Sequence, residues 1–171
     1  EGEDLSKQSW LTRFFRAKII RSADQATAIS RYLMNYVRGI KKNMPVKLIP
    51  NGVDLQKFSQ EFSYGDLSSL ADKLGIRPGA KVIISTSRLV NKNAPDQLIK
   101  ALAVLKNNHP EGDWCLLLVG DGPDKKNLSA LANTLGVEKQ VIFHGSVEHG
   151  QLPKYLKISH VFVIVIPTCS R

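Results

Sequence analysis

The sequence predicts an α/β protein built on a parallel sheet with helices on both faces. Three observations carry that prediction. From Lys81 onward, short aliphatic and β-branched runs alternate with helix-length stretches; the runs are apolar at nearly every position; and each intervening stretch opens on a turn or proline. A strand covered on both faces has no solvent side to make polar, so continuous apolar runs between helices are the expected pattern of a sheet with crossover connections.

Four strands are expected at residues 81–86, 114–119, 140–144 and 160–166, with helices at 95–106, 123–135 and 151–158, where apolar residues recur at three and four spacing. Right-handed connections then give a doubly wound half-domain. Before residue 60 the pattern differs. A basic helix-like stretch at 9–22 leads to a short strand at 26–29, a helix after Ser30 and a strand at 46–49. The segment 59–79 carries Ser63, Gly65, Ser68, Ser69 and Pro78-Gly79, and reads as a linker with a helical turn or two. The expected organisation is therefore 1–58 as the end of one domain, 59–79 as linker and 80–171 as the first half of a second.

Composition narrows the classes. In 171 residues, 43% hydrophobic content with 23% charge is that of a globular protein with a real core. No apolar run approaches the ~20 residues of a membrane-spanning helix. The acidic start offers no basic n-region, so no signal peptide is expected and the expected location is cytoplasmic, including the inner face of a membrane. Cys115 and Cys169 suggest reduced thiols, neither a disulfide framework nor a zinc site, and no metal or other cofactor is expected. A net charge of +9 favours anionic partners. The basic residues are scattered, which argues against nucleic acid.

The candidate site residues follow strand ends, where open α/β sheets gather ligands. In STSRLVNKNAPD (85–96), Arg88 stands where a diphosphate would lie, and its planar fork of donors suits phosphate oxygens. Capping a helix or pairing with Asp96 is the competing structural role. In VGDGP (119–123), Gly120, Asp121 and Gly122 form a turn that brings backbone N–H groups toward an anion at a helix start. In VIFHGSV (141–147), a strand ends at Gly145, with His144 expected to be a satisfied strand-end histidine and not a general base. In IPNGVDLQKF (49–58), Asn51-Gly52 is expected to supply the positive φ of a tight turn.

Taken together, these motifs resemble retaining, nucleotide-sugar-using glycosyltransferases of the GT-B type, over roughly residues 23–168. The resemblance implies a two-domain architecture of which this chain holds the hinge, with Asn51, Gly52, Asp54 and Phe58 matching, and the first half of a Rossmann-like donor-binding domain. It implies hexosyl transfer from a nucleotide diphosphate sugar, UDP ahead of GDP, to the hydroxyl of a sugar or lipid-linked acceptor, with retention and without metal, in polysaccharide or glycolipid synthesis. Arg88 would hold the donor diphosphate. The family carries a Lys and then a Gly five residues after that Arg, whereas here Asn93 and Ala94 stand there and Lys92 comes one step early. The second phosphate contact therefore falls to Lys92 or to Asn93. Gly120, Asp121, Gly122, Gly145, Ser146 and Val147 would face the nucleotide, and Thr168 would open the donor loop. The two-glutamate segment of the family is expected outside this chain, which is expected to be inactive alone. Two other classes remain open: a noncatalytic nucleotide- or anion-binding module, and a membrane-surface binder using the basic aromatic stretch at 10–21.

Overall fold

The computed structural model describes residues 9–165. The chain divides into two compact units at Asp54 and Leu55.

In the first unit, α1 (Trp10–Ser22) and α2 (Arg31–Ile40) accompany two short parallel strands, β1 (Ala26–Ala28) and β2 (Val46–Leu48), with Ala26 opposite Val46. Both helices begin on serine. Ser9 Oγ accepts from Leu11 N at 3.4 Å and Ser30 Oγ from Leu33 N at 3.2 Å, satisfying donors that the first turn leaves open. At its other end α1 is closed by Lys41, whose ammonium donates to the Ala23 and Arg21 carbonyls at 2.8 and 3.2 Å. Trp10, Phe14, Phe15 and Ile19 along α1 are exposed.

In the second unit, α3 (Leu55–Phe58) and α4 (Tyr64–Lys73) precede β3 (Lys81–Thr86), α5 (Pro95–Asn108), β4 (Trp114–Val119), α6 (Lys125–Thr134), β5 (Val141–Gly145), α7 (Leu152–Lys157) and β6 (Val161–Phe162). The sheet runs β5-β4-β3-β6 with every pairing parallel. Side chains alternate between two apolar clusters. Leu116 and Leu118 face α5 and α6 with Ile99, Leu102, Leu128 and Val137. Val82, Ile84, Leu117 and Val119 face the other side with Ile76 and Tyr155. This two-sided burial is why β4 is apolar throughout and why Val82, Ile83 and Ile84 form an unbroken apolar run in β3. Trp114 opens β4 half-buried, its indole N–H donating to the His109 carbonyl at 3.2 Å.

The segment 59–79 carries more than a turn or two of helix. The ten-residue α4 starts on Ser63, whose Oγ accepts from Asp66 N, and it lays Leu70, Ala71 and Leu74 on the second cluster. Apolar spacing within a Ser- and Gly-rich stretch was the indication of this. The last strand is also shorter than its apolar run suggests: β6 pairs only Val161 with Ile83 and Phe162 with Ile84, and residue 166 lies outside the described residues. Among the described residues it lies at one end of the sheet, with Val161 and Phe162 about half exposed.

The strand order defines a switch point. From β3 the chain winds outward through β4 to β5, then returns to place β6 on the opposite side of β3. The crevice of such a sheet opens at the carboxyl ends of the two strands flanking the reversal, here β3 and β6.

Leu117, fully buried in the central strand β4, should be costly to truncate. In urea unfolding followed by far-UV circular dichroism, Leu117→Ala is expected to lose about 2–5 kcal/mol. Val104→Ala, at an exposed position on α5, should change stability by less than about 0.5 kcal/mol.

Candidate functional site

The carboxyl ends of β3, β4 and β5 are tied into one surface by their backbones. Ser87 N donates to Val119 O at 3.1 Å, Leu89 N to Asp121 O at 3.0 Å, and Asp124 N to Leu89 O at 3.2 Å. Gly120 N donates to Gly145 O at 2.8 Å, joining the end of β5 to the same surface. The loop after β3 is anchored by Leu89, which is almost completely buried against α5 and α6. Its neighbour Arg88 is thereby turned to the exposed side.

Two glycines of this surface are required by the fold itself. A Cβ on Gly120 would run into the Ser87 carbonyl, and one on Gly122 into the Leu89 carbonyl. Gly120 also holds φ +142°. These two positions are bare so that two loops can touch each other, before any ligand is considered. Gly145 differs: it sits at φ +90°, yet a Cβ there would meet nothing within 4 Å. Its backbone conformation demands glycine, and the space beside it is open. Asp121 turns back on its own loop, Oδ1 accepting from Gly122 N at 2.8 Å.

Among the described residues the Arg88 guanidinium has no ion pair or hydrogen bond. Asp96, the carboxylate that could have claimed it, is taken by Lys100 at 2.8 Å. The Lys100 hydrogen bond holds the Asp96 carboxyl below the usual carboxylate value against the opposing effect of partial desolvation. Lys92 and Asn93 lie in a 3₁₀ turn, Asn91–Asn93. Lys92 is exposed, while the Asn93 amide donates to the Arg88 carbonyl at 2.9 Å and braces the loop that carries Arg88. The turn closes on Ala94 at φ 47°, a left-handed conformation that costs a residue with a Cβ about 1–2 kcal/mol. Glycine would adopt it freely. No side chain caps the first turn of α5 that follows.

Two other expectations change. Neither Asn51 nor Gly52 has a positive φ, and residues 49–54 carry no turn, so the expected tight turn does not form there. His144 is satisfied at one nitrogen only: Nε2 lies 3.0 Å from the Tyr155 hydroxyl, and Nδ1 is buried without a partner among the described residues. Reading the sequence alone missed Tyr155 and the anchor Leu89; the burial of the latter follows from the apolar position beside Arg88. Phe58, at the end of α3, stacks edge-on with His149, ring centroids 5.5 Å apart. Thr168 and Cys169 lie outside the described residues. Burial in β4 pushes the Cys115 thiol up to about 11, which makes it a core residue and a poor nucleophile. Among the described residues no three His, Cys, Asp or Glu side chains gather as a metal site would require.

The chain matches the family model "Glycosyl transferases group 1" over residues 68–165, more than half its length, and it belongs to that family. A phosphatidylinositol monomannoside mannosyltransferase of Mycolicibacterium smegmatis, described as GDP-mannose-dependent, is 30% identical over 148 residues, 86% of this chain and 37% of the relative. The alpha-monoglucosyldiacylglycerol synthase of Streptococcus pneumoniae is 28% identical over 155 residues, 90% of this chain and 34% of that protein. The chain thus spans about a third of the length of these relatives. Among solved structures, Anabaena Alr3699/HepE in complex with UDP and glucose superposes with a TM-score of 0.78 at 23% identity, covering 94% of this chain and 43% of that one. The neighbours are GT-B glycosyltransferases, and the second unit is a Rossmann-like α/β fold corresponding to part of their C-terminal domain.

If the bare positions serve loop contact, Gly122→Ala and Gly120→Ala should each lose about 1–3 kcal/mol in urea unfolding. Gly39→Ala, in α2 where a Cβ meets nothing within 4 Å, should not be destabilising.

Proposed function

We propose that the chain is the hinge and first half of the donor-binding domain, 80–171, of a retaining glycosyltransferase that moves a hexose from a nucleotide diphosphate sugar to an acceptor hydroxyl. The observation that carries the proposal is Arg88, unpaired among the described residues, exposed, and held at the carboxyl end of β3 beside the switch point of the sheet. A guanidinium there would form charge-assisted bonds to the diphosphate and stabilise the leaving group as negative charge develops on it. Lys92 is the second contact: its ammonium is uncommitted among the described residues, while Asn93 already spends one amide hydrogen on the Arg88 carbonyl. Gly120, Asp121 and Gly122 face the nucleotide, and the base rests against Gly145, Ser146 and Val147, where the space beside Gly145 is open.

UDP is the proposed nucleotide, supported by the UDP in the Anabaena complex; the GDP-mannose of the mycobacterial relative is the competing choice. The acceptor is a sugar or lipid-linked hydroxyl, in keeping with the lipids in the names of both relatives. Thr168 is assigned to the donor loop and Asn51, Gly52 and Asp54 to the hinge. Peripheral association with an anionic membrane is supported by the exposed Trp10, Phe14, Phe15 and Ile19 on α1, interleaved with Arg13, Lys18 and Arg21. No helix among the described residues is long and apolar enough to cross a membrane. Because catalysis needs donor and acceptor held together, and the chain spans about a third of its relatives, the 171 residues alone should transfer no sugar from a radiolabelled donor above buffer controls.

Calorimetric titration tests the assignment. Arg88→Ala should weaken UDP binding by about 1.5–3 kcal/mol, about tenfold or more, with Arg88→Lys recovering only part because an ammonium lacks the planar fork. Uridine binding should hardly change. Equal UDP affinity for Arg88→Ala and the unmodified protein would remove Arg88 from the site, and tighter binding of GDP than UDP would reverse the choice of base. Co-sedimentation with vesicles containing phosphatidylglycerol should fall when Trp10 and Phe14 are both changed to Ser; unchanged sedimentation would dismiss α1 as the contact.

A further inference from the structure

Between the open turn at Gly145 and the body of the second unit lies a hydrogen-bonded pair with no part in the site as described above. Tyr155, on α7, is buried to 9% exposure, and its hydroxyl lies 3.0 Å from His144 Nε2 with ring centroids 4.9 Å apart at 74°. His144 is the residue immediately before Gly145. Its other nitrogen, Nδ1, is buried without a partner among the described residues. Either tautomer leaves that nitrogen unsatisfied, a cost of about 1–3 kcal/mol that a phenylalanine or leucine of similar bulk would avoid. Packing alone does not account for an imidazole at this place. The bond from Nε2 does.

We infer that His144 and Tyr155 are positioning residues that hold the Gly145–Val147 turn in the shape that receives a nucleoside, an inference that rests on the assignment of the base to that turn. The turn has few restraints of its own. Gly145 carries no side chain and sits at φ +90°, and Ser146 is exposed. On one side it is tied through the Gly145 carbonyl to Gly120 N, and beyond it Val147 packs on the second cluster. The third tether is His144, and α7 is a firm post for it: Pro153 at its start is fully buried, and Ser159 Oγ donates to the Tyr155 carbonyl at 2.7 Å at its end. Without the hydroxyl, the last side chain before the glycine loses its only hydrogen bond among the described residues. The turn is then held by the Gly120 bond and the packing of Val147 alone.

Nuclear magnetic resonance of the 171-residue chain, with calorimetric titration of UDP, tests the pair through three variants. Tyr155→Phe keeps the buried ring and removes only the oxygen. It should displace the amide signals of Gly145, Ser146 and Val147, shift the His144 ring nitrogen signals, and weaken UDP binding by about three- to tenfold, the size of one hydrogen bond. His144→Gln places an amide nitrogen close to where Nε2 stands and should restore native amide positions and most of the affinity. His144→Phe fills the same volume without a polar atom and should restore neither. If glutamine and phenylalanine behave alike, or if the three amides stay in place in Tyr155→Phe, the pair is packing and the inference is wrong. If the unmodified chain binds no UDP, the nucleotide assignment fails by itself. The amide positions in the three variants then still decide whether the pair shapes the turn.

Discussion

The loop after β3 lies in contact with the turn after β4, backbone against backbone, and this approach exists only because positions 120 and 122 lack side chains. The proposed placing of Arg88 depends on it. The contact extends the β3–β4 ladder past the end of the sheet, through Ser87, Leu89 and Asp124, so that a surface loop behaves as a continuation of the core. Leu89 enters the apolar layer, and the alternation of the chain then sends Arg88 outward. A long flexible side chain is thereby mounted on a backbone that cannot drift. An electrostatic contact to a diphosphate gains most from such mounting, since the charge need not be reorganised when the ligand arrives.

Much of the fold was legible in the sequence because double-sided burial leaves a plain trace. The run at 114–119 is apolar at every position, as is its predecessor at 82–84, and the structure places them in the two central strands of the described sheet, β4 and β3. The helices expected at 9–22 and after Ser30 also form, and in the structure Ser9 and Ser30 cap their first turns. What stayed hidden depends on partners distant in sequence. How many residues of a run such as 160–166 pair with β3 depends on a strand far away in sequence, which no local pattern encodes. The helix α4 was masked by the serines and glycine around it, although Leu70 and Leu74 were spaced to share one face.

The candidate site was legible in position more than in cause. Arg88, the Gly-Asp-Gly turn and Gly145 do converge at neighbouring strand ends, as their places in the βα units require. The reasons for individual residues were harder to read. Glycine is compatible with approach to a ligand, with approach to another loop and with positive φ, and only coordinates separate Gly122 from Gly145. Asn51-Gly52 is a frequent turn pair that here does not turn. Ala94 shows the opposite case: a residue that does not advertise a left-handed conformation adopts one, at φ 47°, at the close of the turn after β3.

The two tryptophans of the chain fall one in each unit, in contrasting surroundings. Trp114 is half-buried at the head of β4, bonded to a carbonyl and set edge-on to His109, whereas Trp10 is 75% exposed at the start of α1. An indole already in water has little emission change left to give when its helix melts, while one leaving a partly dry, hydrogen-bonded seat moves to longer wavelength. Intrinsic fluorescence of the unmodified protein is therefore a selective optical report on the second unit, nearly blind to the first, and its transition dates the loss of the sheet that carries Arg88.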